Sequence, residues 1–178
     1  LPAYSLEADA GERLVFGELT ILVRATSEST GGAFALFEEV PPLADTPLHV
    51  HEREDELFYV LEGEHVFTVG EDEFRVGPGG LAFAPRGIPH AQRRVIPGEG
   101  RLLVLTTPGG LDGFFRELSA AQTAGTLGRD AYASASARFA TWRGSREYPS
   151  RVIGSATSQT SESVGASVAG SRIAELGS

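Results

Sequence analysis

The stretch His49-Val50-His51-Glu52-Arg53-Glu54-Asp55-Glu56, running on into Leu57-Phe58-Tyr59-Val60-Leu61-Glu62-Gly63, decides how this chain is read. In extended backbone, residues two apart share a face, so His49 and His51 present both imidazoles to one point. Four residues then intervene before Glu56, enough for a turn. If 57–61 returns as the next strand, Glu56, Phe58 and Val60 share a face, which brings the Glu56 carboxylate beside the imidazoles. Two nitrogen donors and one oxygen donor converging from a hairpin form half a shell for a divalent metal.

A second segment reads Gly79-Gly80-Leu81-Ala82-Phe83-Ala84-Pro85-Arg86-Gly87-Ile88-Pro89-His90. Pro85 and Gly87 shape a turn, Pro89 holds the chain extended, and His90 enters the next strand as a third imidazole. The chain has four histidines, and only His65 falls outside these two segments. A competing reading makes them exposed turn histidines beside a solvated acidic loop. The acidic clusters at 52–56, 62–64 and 71–73 read individually as solvated faces. The spacing and the second segment together favour the metal site.

Outward from these segments, short apolar runs recur at 14–16, 19–23, 33–37, 57–61, 65–69, 81–84 and 102–106. Each is strand-sized, β-branched or aromatic in flavour, and bounded by turn residues. Many short strands with Gly and Pro turns and no helix between them give an all-β fold, an antiparallel sandwich or barrel. After residue 110 the period changes. Phe114, Leu118 and Ala121 fall on one helical face over 111–122 with Phe115 beside them, and Tyr132, Ala135, Phe139 and Trp142 repeat the pattern over 130–142. Two C-terminal helices therefore pack back on the β-domain. The organisation expected is a barrel with N-terminal strands over 1–110, a helical segment over 111–143, and a Ser/Gly-rich tail over 144–178. The tail is too poor in apolar residues to fold alone and is expected to lean on the domain or on a second copy.

The 178 residues suit one domain with a sizeable core. No cysteine is present, which removes disulfides, thiolate metal sites and cysteine nucleophiles. A net charge of −9 argues against nucleic acid or an anionic membrane as partner. No apolar run is long enough to span a bilayer, and no secretory signal is visible at the start, so a cytoplasmic location is expected.

The run His-x-His-(x4)-Glu-(x6)-Gly, met by His49, His51, Glu56 and Gly63, resembles the first cupin motif. The run Gly-(x5)-Pro-x-Gly-x-x-His, met by Gly79, Pro85, Gly87 and His90, resembles the second. About 15 residues separate them, as in compact bacterial single-domain cupins. Leu43 stands where the first motif begins with glycine, and Arg94 where the second ends with asparagine; neither position is a ligand in the family. The likeness covers roughly residues 33–107. The continuation Pro108-Gly109-Gly110-Leu111-Asp112-Gly113-Phe114-Phe115 resembles the quercetin 2,3-dioxygenase-like branch.

The resemblance implies a double-stranded β-helix, a jelly-roll barrel, with His49, His51, Glu56 and His90 as ligands of one divalent transition metal. Without sulfur donors, Fe, Mn, Ni, Co, Cu and Zn are all admissible, and a three-His, one-Glu shell leaves open positions for Lewis-acid chemistry or oxygen activation. It further implies a dioxygenase for an aromatic or enolisable small molecule, flavonol- or polyketide-like, with Glu56 as both ligand and general base. The alternatives are a non-redox isomerase or cyclase and a binding cupin without turnover. Strand parity lines the substrate pocket with Phe58, Val60 and Gln92, and with Phe34 and Leu36 or, in the other register, Ala33 and Phe37. Arg86, Arg93 and Arg94 either clamp an anionic substrate or solvate the rim. A homodimer is expected, because apolar edge strands such as 19–23 need covering.

Overall fold

The computed structural model describes residues 1–41, 45–97 and 99–139. Nine strands are followed by two helices: β1 (Glu12–Phe16), β2 (Leu19–Ala25), β3 (Ala35–Val40), β4 (Asp55–Glu62), β5 (His65–Val69), β6 (Asp72–Val76), β7 (Leu81–Ala84), β8 (His90–Arg94), β9 (Arg101–Thr107), α1 (Leu111–Thr123) and α2 (Arg129–Phe139). The strands form a six-stranded antiparallel sheet in the order β1-β2-β3-β9-β4-β7 and a three-stranded one in the order β6-β5-β8. This is a double-stranded β-helix.

Period-two alternation sets what faces the interior. On β4 the buried positions are Glu56, Phe58 and Val60, opposite Thr106, Val104 and Leu102 of β9. Ala84 and Ala82 of β7 flank Glu56 and Phe58 on the other side. Phe67 of β5, in the small sheet, meets Phe58 with ring centroids 4.9 Å apart, so the two sheets close on one apolar core. The helices share it: Leu111, Phe114 and Leu118 of α1 and Tyr132 and Ala135 of α2 are buried there. Side chains of α1 also cover the first hairpin, Ser119 Oγ accepting from Val15 N–H and Gln122 Oε1 from Gly17 N–H. Trp142 and the tail 144–178 lie outside the described residues. Among the described residues no helix is long and apolar enough to cross a membrane.

Four sequence expectations are corrected here. Strand β6 was not expected, because Asp72-Glu73-Phe74-Arg75-Val76 carries little apolar signal; it is the outer strand of the small sheet and is largely exposed, where charge blunts an edge. Residues 19–23 do not form an uncovered edge, since β2 is hydrogen-bonded on both sides, to β1 and to β3, and is buried. His49 and His51 do not sit in a regular strand. His49 makes one isolated bridge to His90, its N–H to the His90 carbonyl (2.9 Å) and the return bond at 2.7 Å, while Pro47, with no N–H, interrupts the ladder. Finally, Phe34 and Leu36 do not line the facing strand. The inward set on β3 is Ala35, Phe37 and Glu39, paired with Thr106, Val104 and Leu102, which leaves Leu36 on the outer face opposite Leu105 and Phe34 half-buried ahead of the strand. Phe37 thus follows the other register, whereas Ala33 is exposed.

Candidate metal centre

One turn ties the two ligand segments together. Gly87 has φ +77°, a left-handed conformation natural to glycine, in the turn 85–88 closed by Ile88 N–H to the Pro85 carbonyl. From that turn Gly87 N–H donates to the carbonyl of His51 (2.8 Å), tying the second segment to the first. Two residues later His90 begins β8, on the small sheet, and faces Glu56 on β4 of the large one. Gly63, φ +75°, turns β4 into β5.

The four donors converge. Ligand atoms of His49, His51, Glu56 and His90 all lie within 4.8 Å of one another, so the cluster could hold a metal ion. His90 Nε2 is 2.9 Å from Glu56 Oε2, His51 Nε2 is 3.3 Å from the same oxygen, and the Nε2 atoms of His49 and His51 are 3.2 Å apart. His51, Glu56 and His90 are buried and His49 is half-buried. Burial alone does not explain such a group. Three ring nitrogens and a carboxylate oxygen brought this close out of water form a donor set that a shared cation would satisfy.

The outer nitrogens agree with that fit. His49 Nδ1 lies 2.8 Å from the Pro47 carbonyl and His90 Nδ1 2.9 Å from the Ile88 carbonyl. A carbonyl only accepts, so each Nδ1 carries a proton and each Nε2 is turned inward toward the other candidate ligands. Burial, with repulsion from His51 and His90, pushes the His49 imidazole down to about 3, leaving it a neutral donor. Burial opposes charge on Glu56, but attraction to His51 and hydrogen bonds from His51 and His90 outweigh it and hold the carboxyl well below its ordinary range. Burial likewise opposes charge on His90, and the Glu56 hydrogen bond raises it nonetheless.

The surroundings mix apolar and buried polar side chains. Phe58 and Val60 continue inward from Glu56, and the Phe58 ring centroid is 6.4 Å from that of His90. Gln92 follows His90 inward and is buried, its Nε2 donating to Glu39 Oε2 at 2.7 Å. Sequence reasoning missed Glu39 because Glu38-Glu39 looks like a solvated acidic pair. Burial pushes its carboxyl up to about 7, Glu56 adds to the rise, and the Gln92 hydrogen bond and Arg94 pull against it. Thr106, opposite Glu56, was also missed; its buried hydroxyl has no hydrogen-bond partner. The solvated reading of 52–56 fails for Glu54 and Glu56, which are 1% and 6% exposed. Arg86, Arg93 and Arg94 are engaged by Asp55, Glu73 and Asp45. His65 is buried elsewhere, stacked on Phe67.

Residues 36–106 match the family described as Cupin domain, a span that contains all four candidate ligands. The chain carries a cupin domain. Solved structures similar to this chain include KdgF from Halomonas sp., with a TM-score of 0.53 and 17% identity over 64% of this chain and 99% of that one. An RmlC-like cupin from Shewanella frigidimarina gives a TM-score of 0.52 and 19% identity, covering 63% of this chain and 96% of its own. The cupin domain of Schizosaccharomyces pombe Cnp3 gives 0.50 and 18%, covering 70% and 82%. At these identities the likeness is one of fold, and cupin folds host many chemistries. No curated protein matches the chain.

Proposed function

We propose that this cupin is a metal-dependent dioxygenase of the quercetinase-like branch, acting on an aromatic or enolisable small molecule. The observation that carries the reading is the set of three inward-turned Nε2 atoms and one carboxylate oxygen within 4.8 Å of one another, on a barrel wall that continues as Phe58 and Val60. When bound, a transition metal there supplies Lewis acidity and, if redox-active, a route for dioxygen.

The chain's own residues do the rest. Glu56 Oε2, held ionised between His51 and His90, accepts the hydroxyl proton of an enol or phenol and so raises the electron density of the substrate. The substrate is oxidised, dioxygen is the oxidant, and both of its oxygen atoms enter the product. In this reading the substrate ring would approach beside Phe58, whose ring centroid is 6.4 Å from that of His90, with the hydrogen-bonded pair Gln92 and Glu39 as polar neighbours, the mixture usual in small-molecule sites.

An oxygen electrode tests this with protein loaded in turn with Fe, Mn, Ni, Co, Cu and Zn, against flavonols and catechols. Oxygen uptake that requires a redox-active metal supports the proposal. Equal turnover with zinc and without oxygen identifies an isomerase or cyclase instead, and tight substrate binding with no turnover identifies a binding cupin.

The functional unit in this reading is a homodimer formed through the outer face of β4 and β7. Tyr59, Leu61, Leu81 and Phe83 are all exposed there, with Tyr59 beside Leu81 and Phe83 beside Leu57. A chain of net charge −9 repels its own copy except across an uncharged patch, and a two-fold axis sets this patch against itself.

A further inference from the structure

The three imidazoles of the site differ in how their outer nitrogens are held. His49 and His90 each direct Nδ1 at the carbonyl of the residue two positions earlier, Pro47 and Ile88, at 2.8 and 2.9 Å. His51 has no such carbonyl, and its buried Nδ1 makes no hydrogen bond. One buried carboxylate oxygen is in the matching position. Glu54 Oε2 also makes no hydrogen bond, and it stands 3.9 Å from His51 Nδ1, with the side chains 4% and 1% exposed.

Two buried, unsatisfied atoms of complementary chemistry, one turn of chain apart, are costly separately and compatible together. A distance of 3.9 Å is too long for a hydrogen bond, and forming one needs the two side chains to approach by about 1 Å. An imidazole that gives Nε2 to a cation must keep its proton on Nδ1, so occupancy of the centre creates the donor that Glu54 can accept. The other carboxylate oxygen, Oε1, lies near Gly110, the residue that opens α1 without a side-chain cap; a Cβ added there would stand 3.6 Å from it. The positive end of that helix favours an anion there.

We propose that Glu54 is the positioning residue for His51. It accepts the His51 Nδ1–H when the centre is loaded, and it fixes the ring so that Nε2 points at the ion. The arrangement is the carboxylate–histidine–metal relay, in which the outer acceptor sets ligand tautomer, orientation and basicity. Glu54 touches neither ion nor substrate and takes no part in the chemistry. The inference rests on the four-ligand reading of the site.

The test is Co(II) affinity of the full chain, measured by competition with a chelator, for wild type, Glu54→Gln and Glu54→Ala, with circular dichroism confirming the fold. Loss of the acceptor is expected to weaken Co(II) binding about 10–100-fold in Glu54→Ala. Glu54→Gln, whose amide oxygen still accepts, is expected to recover part of that loss. A merely structural acid gives no such rescue. Wild-type affinity in Glu54→Ala, or Glu54→Gln no better than Glu54→Ala, overturns the proposal.

Should Glu54→Ala not fold, nitrogen-resolved NMR of the Zn(II)-loaded wild type reads the same bond. A slowly exchanging, downfield His51 Nδ1 proton that shifts in Glu54→Gln is expected, and its absence overturns the proposal. If the wild type itself takes up no metal, the four-ligand reading fails rather than this assignment alone.

Discussion

His90 Nε2 and Glu56 Oε2 lie 2.9 Å apart although 34 positions separate them in the chain and they belong to different sheets. The contact joins β8 to β4 across the barrel, so the large and small sheets meet at the candidate centre. Glu56→Gln keeps the size of the side chain and removes its charge. The variant is expected to fold, to bind metal more weakly, and to lose turnover by about 10²–10⁴-fold as the proton acceptor disappears. Steady-state rates at saturating metal check this; an unchanged rate removes Glu56 from the chemistry.

Glu39 gives the fold a pH dependence of its own. Its carboxyl is pushed up to about 7 in the barrel by burial, against an ordinary value of 4.5. Between those two values the folded chain holds a proton that the unfolded chain has lost, so raising pH from about 4.5 to 7 destabilises the protein. The decline amounts to roughly 3 kcal/mol and levels off above pH 7. Glu39→Gln, which still accepts from Gln92, is expected to lack it. Denaturant melts of both proteins across pH 4.5–8 in the presence of a chelator measure the difference; parallel curves contradict the assignment.

Gly63 closes the turn between β4 and β5 at φ +75°, and a Cβ placed on it would stand 2.8 Å from the Cα of Gly100. Backbone meets backbone there, so no flexible side chain can yield. Gly63→Ala is expected to cost roughly 1–3 kcal/mol of stability while leaving metal affinity in the surviving folded protein unchanged. Chemical denaturation with a parallel metal titration separates the two effects.

The proposed dimer makes its own demand. Phe83, half exposed on the outer face of β7, points away from the core, so Phe83→Asp costs little in folding. Sedimentation velocity is expected to show a dimer for the wild type and a monomer for the variant. A dilute wild-type monomer removes the dimer from the account.

Much of this site was legible in the sequence because ligand spacing is local. The two-residue step from His49 to His51, the turn-length gap to Glu56, and the Pro85-Gly87 turn before His90 each state where a side chain goes relative to its neighbours. What spacing cannot give is strand register across the barrel. Strand β3 is buried on both faces along most of its length, so its sequence does not alternate and Leu36 could not be told from Phe37. The role of Glu39 depends on a strand more than 50 positions away. Strand β6 was hidden for the opposite reason, because an outer strand in water can be polar throughout.

The claim on which the rest stands is that His49, His51, Glu56 and His90 hold one metal ion together. Elemental analysis of the purified wild type beside His51→Ala, both checked for fold by circular dichroism, tests it most directly. Close to one transition-metal ion per chain in the wild type and little in the variant is the expected result. Undiminished stoichiometric metal in His51→Ala contradicts the account.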